Sequence, residues 1–354
     1  MNPEHFERLE RSIEKASRFL EGSRNPDGLW SDFLTLAGES VSWVSGYVGY
    51  AMSHQGSEQK SNWLKETAFL IRDQQHANGG WGYGPSVPPD ADSTSWCLRF
   101  LSSTGTQSPE SCERGSRFLL AHQNQTDGGF RTYSSPHDVG RYMGLKGSIS
   151  FEGWLSSQLC VTAVAVAALI EGRSIHGIEE ALNLIRMSQT AEGYWNSYWW
   201  SGSLYATVHC MEAIKSGMTG GDAGSLDRAR TWIAGTQLAD GSWGSSFVSG
   251  GVPFWTALAL RGLMVVHQPD PGGRIGRGAD WLLNHQLEDG SWPSGYLLRI
   301  PLPSMKEPWK QSSWNCGGRA INAVISDHRQ LFSTATAFSA LSEYREKVLE
   351  GKLP

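Results

Sequence analysis

Two carboxylates stand two residues apart in the stretch Val87-Pro-Pro-Asp90-Ala-Asp92-Ser-Thr-Ser-Trp96, just ahead of an apolar run. Pro88 and Pro89 block helix continuation from upstream, while Asp, Ser and Thr favour a helix N-terminus. Asp90 and Asp92 are therefore expected at or beside the cap of a new helix. A carboxylate there accepts backbone N–H bonds and sits at the positive end of the helix dipole. Capping explains one Asp. A second one in an apolar setting is a candidate acid, because desolvation penalises its anion and keeps the proton on at neutral pH.

Were such an acid to protonate an alkene or epoxide, the carbocation formed would have to be tolerated by the walls around it. Aromatic faces stabilise such a cation by roughly 0.5 to 2 kcal/mol per ring, without lone pairs that would trap it. Trp43, Tyr47, Trp96, Trp154, Trp199, Tyr205, Phe254, Trp255 and Phe338 lie on, or just before, apolar helical stretches and are the candidate wall. Any one of them could instead be core packing. As a set they favour a cation-lined cavity.

The elements that would position these side chains repeat. The pattern Gln-x-x-x-Gly-x-Trp, or close to it, recurs at Arg24…Trp30, Gln75…Trp81, Asn124…Phe130, Gln189…Trp195, Gln237…Trp243 and Gln286…Trp292. The period is about 50 residues, with about sixteen extra in the step from Phe130 to Trp195. An amphipathic stretch precedes each turn, as at 62–72 and 279–284. A less polar stretch rich in small residues follows each one, at 41–52, 93–101, 161–170, 204–214, 256–266 and 334–341. Six outer–inner helical pairs describe an all-α, α6/α6 barrel as one domain over 1–354. The glycines permit the tight turns, while Gln and Trp are expected to clamp them.

Two irregular stretches interrupt the period. Residues 131–153, and the Pro-rich 293–331 with Tyr296, are expected to be active-site loops, since long loops in compact repeats tend to be lids or entrances.

Bulk composition narrows the classes. The net charge of -5 argues against a nucleic-acid partner. Five Cys, odd in number and without Cys-x-x-Cys pairing, suit a reduced, cytoplasmic setting. The polar N-terminus shows no signal peptide, and no apolar run approaches the ~18 residues of a membrane span. No His/Cys cluster has metal spacing, so neither metal nor cofactor is expected.

The repeated turns together with Asp90-Ala-Asp92-Ser-Thr94 resemble the squalene–hopene cyclase and oxidosqualene cyclase superfamily, and more narrowly its single-domain bacterial class II terpene cyclases. The resemblance implies protonation-initiated cyclisation of a linear isoprenoid or prenylated aromatic, a meroterpenoid-type chemistry, with Asp92 as proton donor and Asp90 as its partner. Ser93 stands where the family carries a fourth acid or a Cys. Ser42-Trp43-Val-Ser-Gly-Tyr47 is similar to a family segment that lines the cavity. Trp199-Trp-Ser-Gly-Ser-Leu-Tyr205 resembles another, which implies a wall role for Trp199 and a proton-supply role for Tyr205. Cys160-Val-Thr-Ala-Val164 departs from the family: the supporting His falls at Val164 and its Asp at Cys160. His137 and His209 are the histidines to examine as substitutes.

The partner implied is a lipophilic isoprenoid, compatible with peripheral contact with a membrane; the oligomeric state is left open. Two other readings compete. A carbohydrate-active α/α barrel would need two carboxylates across a cleft, ~5 to 9.5 Å apart, and Asp90 and Asp92 are close neighbours in sequence. A cyclase relative that has lost catalysis and only binds lipid would fit the missing His.

Overall fold

The computed structural model describes residues 2–353 except 54–60, 143–148, 175, 218–221, 246, 271 and 318. Its helices are α1 (Pro3–Gly22), α2 (Ser42–Ser53), α3 (Ser61–Asp73), α4 (Ala91–Thr104), α5 (Pro109–Ala121), α6 (Pro136–Tyr142) and α7 (Leu159–Glu171). They continue with α8 (Ile178–Met187), α9 (Leu204–Ser216), α10 (Ala223–Gly235), α11 (Pro253–Val265), α12 (Arg274–Asn284) and α13 (Leu331–Leu349). Six of these, α2, α4, α7, α9, α11 and α13, each pack on the next, and α13 returns to α2. The inner ring is therefore closed. The amphipathic helices α1, α3, α5, α8, α10 and α12 pack against it from outside, and the architecture is the α6/α6 barrel that the repeat predicts.

Local chemistry explains the repeat. Each turn tryptophan donates its indole N–H to the carbonyl ten residues back, at the end of the preceding outer helix. Trp30 reaches Leu20 and Trp81 reaches Ile71, both at 2.7 Å, and Trp195, Trp243 and Trp292 do the same at 2.7–2.8 Å. The backbone N–H of the same aromatic is taken by a hydroxyl of the next inner helix. Ser45, Thr94, Thr162, Thr207, Thr256 and Thr334 serve the six turns in order. These contacts tie outer helix, turn and inner helix into one unit.

The glutamine spans to the neighbouring unit. Gln75 Nε2 donates to Gly79 O and to Ser111 O in α5, both at 2.9 Å. Gln286 does the same with Gly290 O and with Ser12 O in α1, so the last repeat locks onto the first. Gly79 shows why the turn needs glycine: its φ is +93°, and a Cβ would lie 2.4 Å from Arg114 O.

The third turn differs from its sequence alignment. Gln123, not Asn124, is the clamp there, donating to Gly128 O at 2.9 Å and Gly177 O at 2.7 Å. One extra residue in the turn shifts the register. In the first turn Arg24 sits over the Trp63 ring, 4.5 Å from its centroid.

Short strands line one end of the ring. β1 (Asp32–Thr35) pairs with β2 (Gly38–Ser40), and β3 (Trp81–Gly82) with β4 (Pro89–Asp90). β5 (Gly244–Ser245) pairs with β6 (Val248–Gly251). In the late insertion β7 (Tyr296–Ile300) and β8 (Asn315–Cys316) flank β9 (Ala323–Ser326). Asp32, fully buried, accepts the backbone N–H groups of Arg329 and Leu331 at 3.0 Å and so ties the β1 hairpin to the start of α13.

Candidate active site

The acid motif sits where the second turn meets its inner helix. Trp81 pairs with Asp90 across β3 and β4, so the turn and the motif share one piece of sheet. Asp90 is the N-cap of α4 and accepts Ser93 N at 2.8 Å; Ser93 Oγ donates to its other oxygen at 2.6 Å. Thr94 holds the Trp81 N–H. Ala91 N donates to Thr132 O at 3.0 Å, which fastens the helix start to the 131–153 stretch.

Asp92 is left over. It lies in the first turn of α4, and Asp92 Oδ1 is buried with no hydrogen-bond partner among the described residues. What surface the residue keeps opens onto a cavity rather than bulk water. Burial holds its carboxyl well above the usual range, the neighbouring Asp90 pushes the same way, and the Trp43 indole opposes them. Asp90 itself is raised by burial to about 6, against the pull of its Ser93 hydrogen bonds. Desolvation thus keeps a proton on Asp92 while Asp90 is mostly ionised at neutral pH.

The cavity measures about 480 Å³, within the ordinary range for a small-molecule site. Asp90, Asp92, Ser93 and Trp43 form its inner end. Tyr83 stacks near Trp43, with ring centroids 5.9 Å apart, and donates its hydroxyl to Phe33 O. Trp154 and Trp199 make an aromatic corner, 5.5 Å between centroids. Trp199 Nε1 donates to Thr132 Oγ1 at 2.7 Å, and Gln158 accepts both the Thr132 N–H and its hydroxyl. Aliphatic cover comes from Leu36 of the β1–β2 turn, from Leu298 and Ile300 on β7, and from Ile321.

Of the residues singled out from sequence, the cavity gathers Asp90, Asp92, Ser93, Trp43, Trp154 and Trp199. Tyr47, Trp96, Tyr205, Phe254 and Trp255 lie deeper and fill the barrel axis instead. Tyr47 stacks on Phe332 at 4.0 Å, Tyr205 stacks on Trp200 at 3.9 Å, and Phe254 stacks on the same Trp200 at 5.1 Å. Trp255 meets Trp200 edge-on, and Trp96 Nε1 donates to the Tyr205 hydroxyl at 3.2 Å. Cys160 and Phe338 are buried in the core, the thiol pushed up to about 11 mainly by burial. Tyr296 pairs with Ser326 on the sheet, and its ring lies toward Gly317. Tyr47 and Trp96 lie a turn into α2 and α4, whereas Tyr205, Phe254 and Trp255, in the first turns of α9 and α11, pack around Trp200.

Sequence reading missed Tyr83, Thr132, Tyr133 and Tyr142, which line the wall. All four lie outside the inner helices; Thr132, Tyr133 and Tyr142 fall within the 131–153 stretch expected to be an active-site loop, while nothing in the sequence pointed to Tyr83. Val164, at the family's His position, is fully buried. His209 is buried beside Tyr205 and Trp96, and its Nδ1 lies 2.8 Å from Glu212. The His137 side chain lies outside what the structure describes.

Comparison with known proteins agrees with this geometry. Residues 160–297 match the family model of the squalene-hopene cyclase C-terminal domain. The type II terpene cyclase MstE from Scytonema, solved with its product merosterolic acid A, superposes with a TM-score of 0.92 at 28% identity over 98% of this chain and 99% of that one. MstE has also been solved with its substrate, geranylgeranyl dihydroxybenzoate, at 29% identity, TM-score 0.90 and 96% and 98% coverage. Drimenyl diphosphate synthase from Streptomyces showdoensis is 26% identical over 208 residues, 56% of this chain. The chain covers only 36% of that enzyme's length. The fold and the site are similar to those of the squalene–hopene cyclase superfamily. Within it, the likeness is to the type II terpene cyclases.

Proposed function

We propose that this chain cyclises a linear isoprenoid carrying an aromatic head group, starting by protonation of the alkene farthest from that head. The observation that carries the proposal is Asp92: a carboxylic acid kept protonated by burial, with an unpaired oxygen, at the inner end of an aromatic cavity. Its proton adds to the terminal double bond and leaves a tertiary cation. Internal double bonds attack in turn, each closing a ring and passing the charge along. The final cation loses a proton, so the net reaction is an isomerisation.

Asp90 is the partner in this reading. As an anion beside Asp92 it raises the donor's proton affinity, and its own charge is held by Ser93 and the helix N-terminus. Trp43, Trp154 and Trp199 present faces to the migrating charge, worth ~0.5 to 2 kcal/mol each when desolvated. Tyr205, joined to Trp96 in the layer beneath, supports the donor from below and belongs to its proton supply. Stretches 131–153 and 293–331 serve as active-site loops of a single barrel domain.

The substrate class rests on the likeness to MstE and on the apolar lining. Exposed Leu36, which lines the cavity, suits substrate uptake from a membrane surface, and none of the described helices is long and apolar enough to cross one. We place the protein in the cytoplasm on its unpaired cysteines.

Product analysis with farnesyl and geranylgeranyl diphosphates, prenylated hydroxybenzoates, and squalene with its epoxide tests the proposal. Wild type is expected to cyclise a prenylated hydroxybenzoate and Asp92→Asn to cyclise none of the panel. Equal cyclisation by both proteins would remove Asp92 from its role.

A further inference from the structure

The β1–β2 hairpin reaches the cavity through its tip, where Thr35, Leu36 and Ala37 join the lining. Its base is pinned on both sides. Asp32 Oδ1 accepts Phe33 N at 2.8 Å in addition to its α13 contacts, and Ser40 Oγ donates to Tyr83 O at 2.7 Å. Between those pins Phe33 and Gly38 both adopt the left-handed region, with φ of +52° and +87°. A phenylalanine there is strained and persists only where its surroundings hold it.

One side chain from outside the hairpin grips both of its arms. His328, partly exposed between β9 and α13, places Nδ1 3.1 Å from Asp32 Oδ1 and Nε2 2.9 Å from Glu39 Oε1. Carboxylates offer only acceptors, so both bonds form together only when both ring nitrogens carry hydrogen. The charged neighbours of His328 in its own segment are turned elsewhere. Asp327 accepts Gly295 N and Ser333 N, and Arg329 donates to Asn25, Ser31 and Ser23.

We propose that His328 is the positioning residue of a flap: as an imidazolium it holds the β1–β2 tip over the acid cavity, and on losing one proton it releases the Glu39 arm. Asp32 is fully buried and Glu39 only partly, so the N–H that remains stays with Asp32, which has no solvent to replace a lost partner. The bare Nε2 lone pair then faces the Glu39 carboxylate and repels it. Hydrogen bonds to the two carboxylates, Asp32 first, hold the imidazolium above histidine's usual range. The closed flap is therefore favoured below that raised value and loosens as pH climbs through it. The inference needs the cavity but not the reaction assigned to it.

Hydrogen exchange of the full-length protein without substrate reads the flap directly. Protection of amides 33–39, with each rate divided by the intrinsic rate at that pH, is expected to fall about fivefold between pH 6 and 8.5, the worth of one partly exposed ion pair. His328→Gln, which is neutral, should show the loosened value at both pH values. His328→Arg keeps its charge and a fork able to meet both acids, so protection should stay high throughout. The arginine variant also leaves Asp327 to titrate, its carboxyl being pushed up to about 8 mainly by burial. Constant protection in wild type, or an equal fall in His328→Arg, would overturn the flap, as would an equal fall in the outer helix α10. Because no substrate is present, a failure to cyclise would leave the flap standing, and constant protection would leave the role of Asp92 standing.

Discussion

The Oδ1 atom of Asp92 and the indole N–H of Trp43 are both buried and make no hydrogen bond of ordinary length among the described residues, yet the indole is near enough to Asp92 to pull its carboxyl toward the anion. They belong to the first turns of adjacent inner helices, α4 and α2, and both residues wall the same end of the cavity. Buried polar atoms are nearly always paired, so two orphans on one wall need a reason. A proton donor supplies it: the oxygen that must reach the substrate cannot be tied to protein. The indole dipole meanwhile favours the anion left behind, without removing the proton beforehand.

That relationship predicts opposite pH behaviour for two variants. Asp92 works as the acid, so activity is present below its folded pKa and lost as pH rises through it. Trp43→Phe removes the one group that lowers that pKa, and the alkaline limb of the kcat profile should move to higher pH. Ser93→Ala removes the hydroxyl hydrogen bond to the Asp90 carboxylate, leaving the backbone one, and raises Asp90 above about 6. Asp92 then feels less negative charge, and its limb should move to lower pH. Steady-state kinetics across pH checks both directions.

Asp90→Asn should stabilise the fold above pH 6. Asparagine caps a helix as well as aspartate does, so the cap survives. The Asp90 carboxyl is raised from 3.8 to about 6, so the folded state binds its proton more tightly than the unfolded state. Such a group costs stability progressively as pH rises from the unfolded value to the folded one, and the cost is full above it. Two pKa steps correspond to about 3 kcal/mol at most. Thermal melts of the two proteins should coincide near pH 4 and diverge above pH 6, with the variant higher.

Trp199→Ala should lower kcat by about tenfold, the worth of one desolvated ring facing a cation. Trp199→Phe keeps a face but loses the bond to Thr132. It should retain more activity than the alanine variant. Product profiles check this, since a weakened wall should release less fully cyclised isomers.

Gln123→Ala should destabilise the barrel by about 1–3 kcal/mol, as loss of a half-buried two-bond clamp does, and Gln189→Ala, which also loses the bonds from Ser225 and Arg228, should cost at least as much. Asn124→Ala should cost less. Denaturant titration of the three variants distinguishes the clamp from its sequence-aligned neighbour.

The barrel was legible because its periodic signal is carried by side chains with fixed local tasks. Trp81, Thr94 and Gly79 do the same work as Trp292, Thr334 and Gly290, so the repeat shows in one chain. Asp90 and Asp92 were legible for a related reason, since a cap explains one carboxylate and not two. The third clamp was not, because Gln123 and Asn124 stand side by side and only the turn's extra residue decides between them. Nor was the division of the aromatics. Trp154 and Trp199 line the cavity from the segments that precede α7 and α9, while Tyr47, Phe254 and Trp255 on the inner helices fill the axis, and aromatic content alone does not separate the two. Tyr83 and Tyr133 reach the site from loops, where no periodicity points inward.

Isotope transfer from solvent tests the central claim most directly. Wild type incubated in D2O with a prenylated hydroxybenzoate should yield a cyclic product with one deuterium at the carbon that receives the proton, and Asp92→Asn should yield no cyclic product. Unlabelled cyclic product from wild type, or labelled product from Asp92→Asn, would contradict protonation by Asp92.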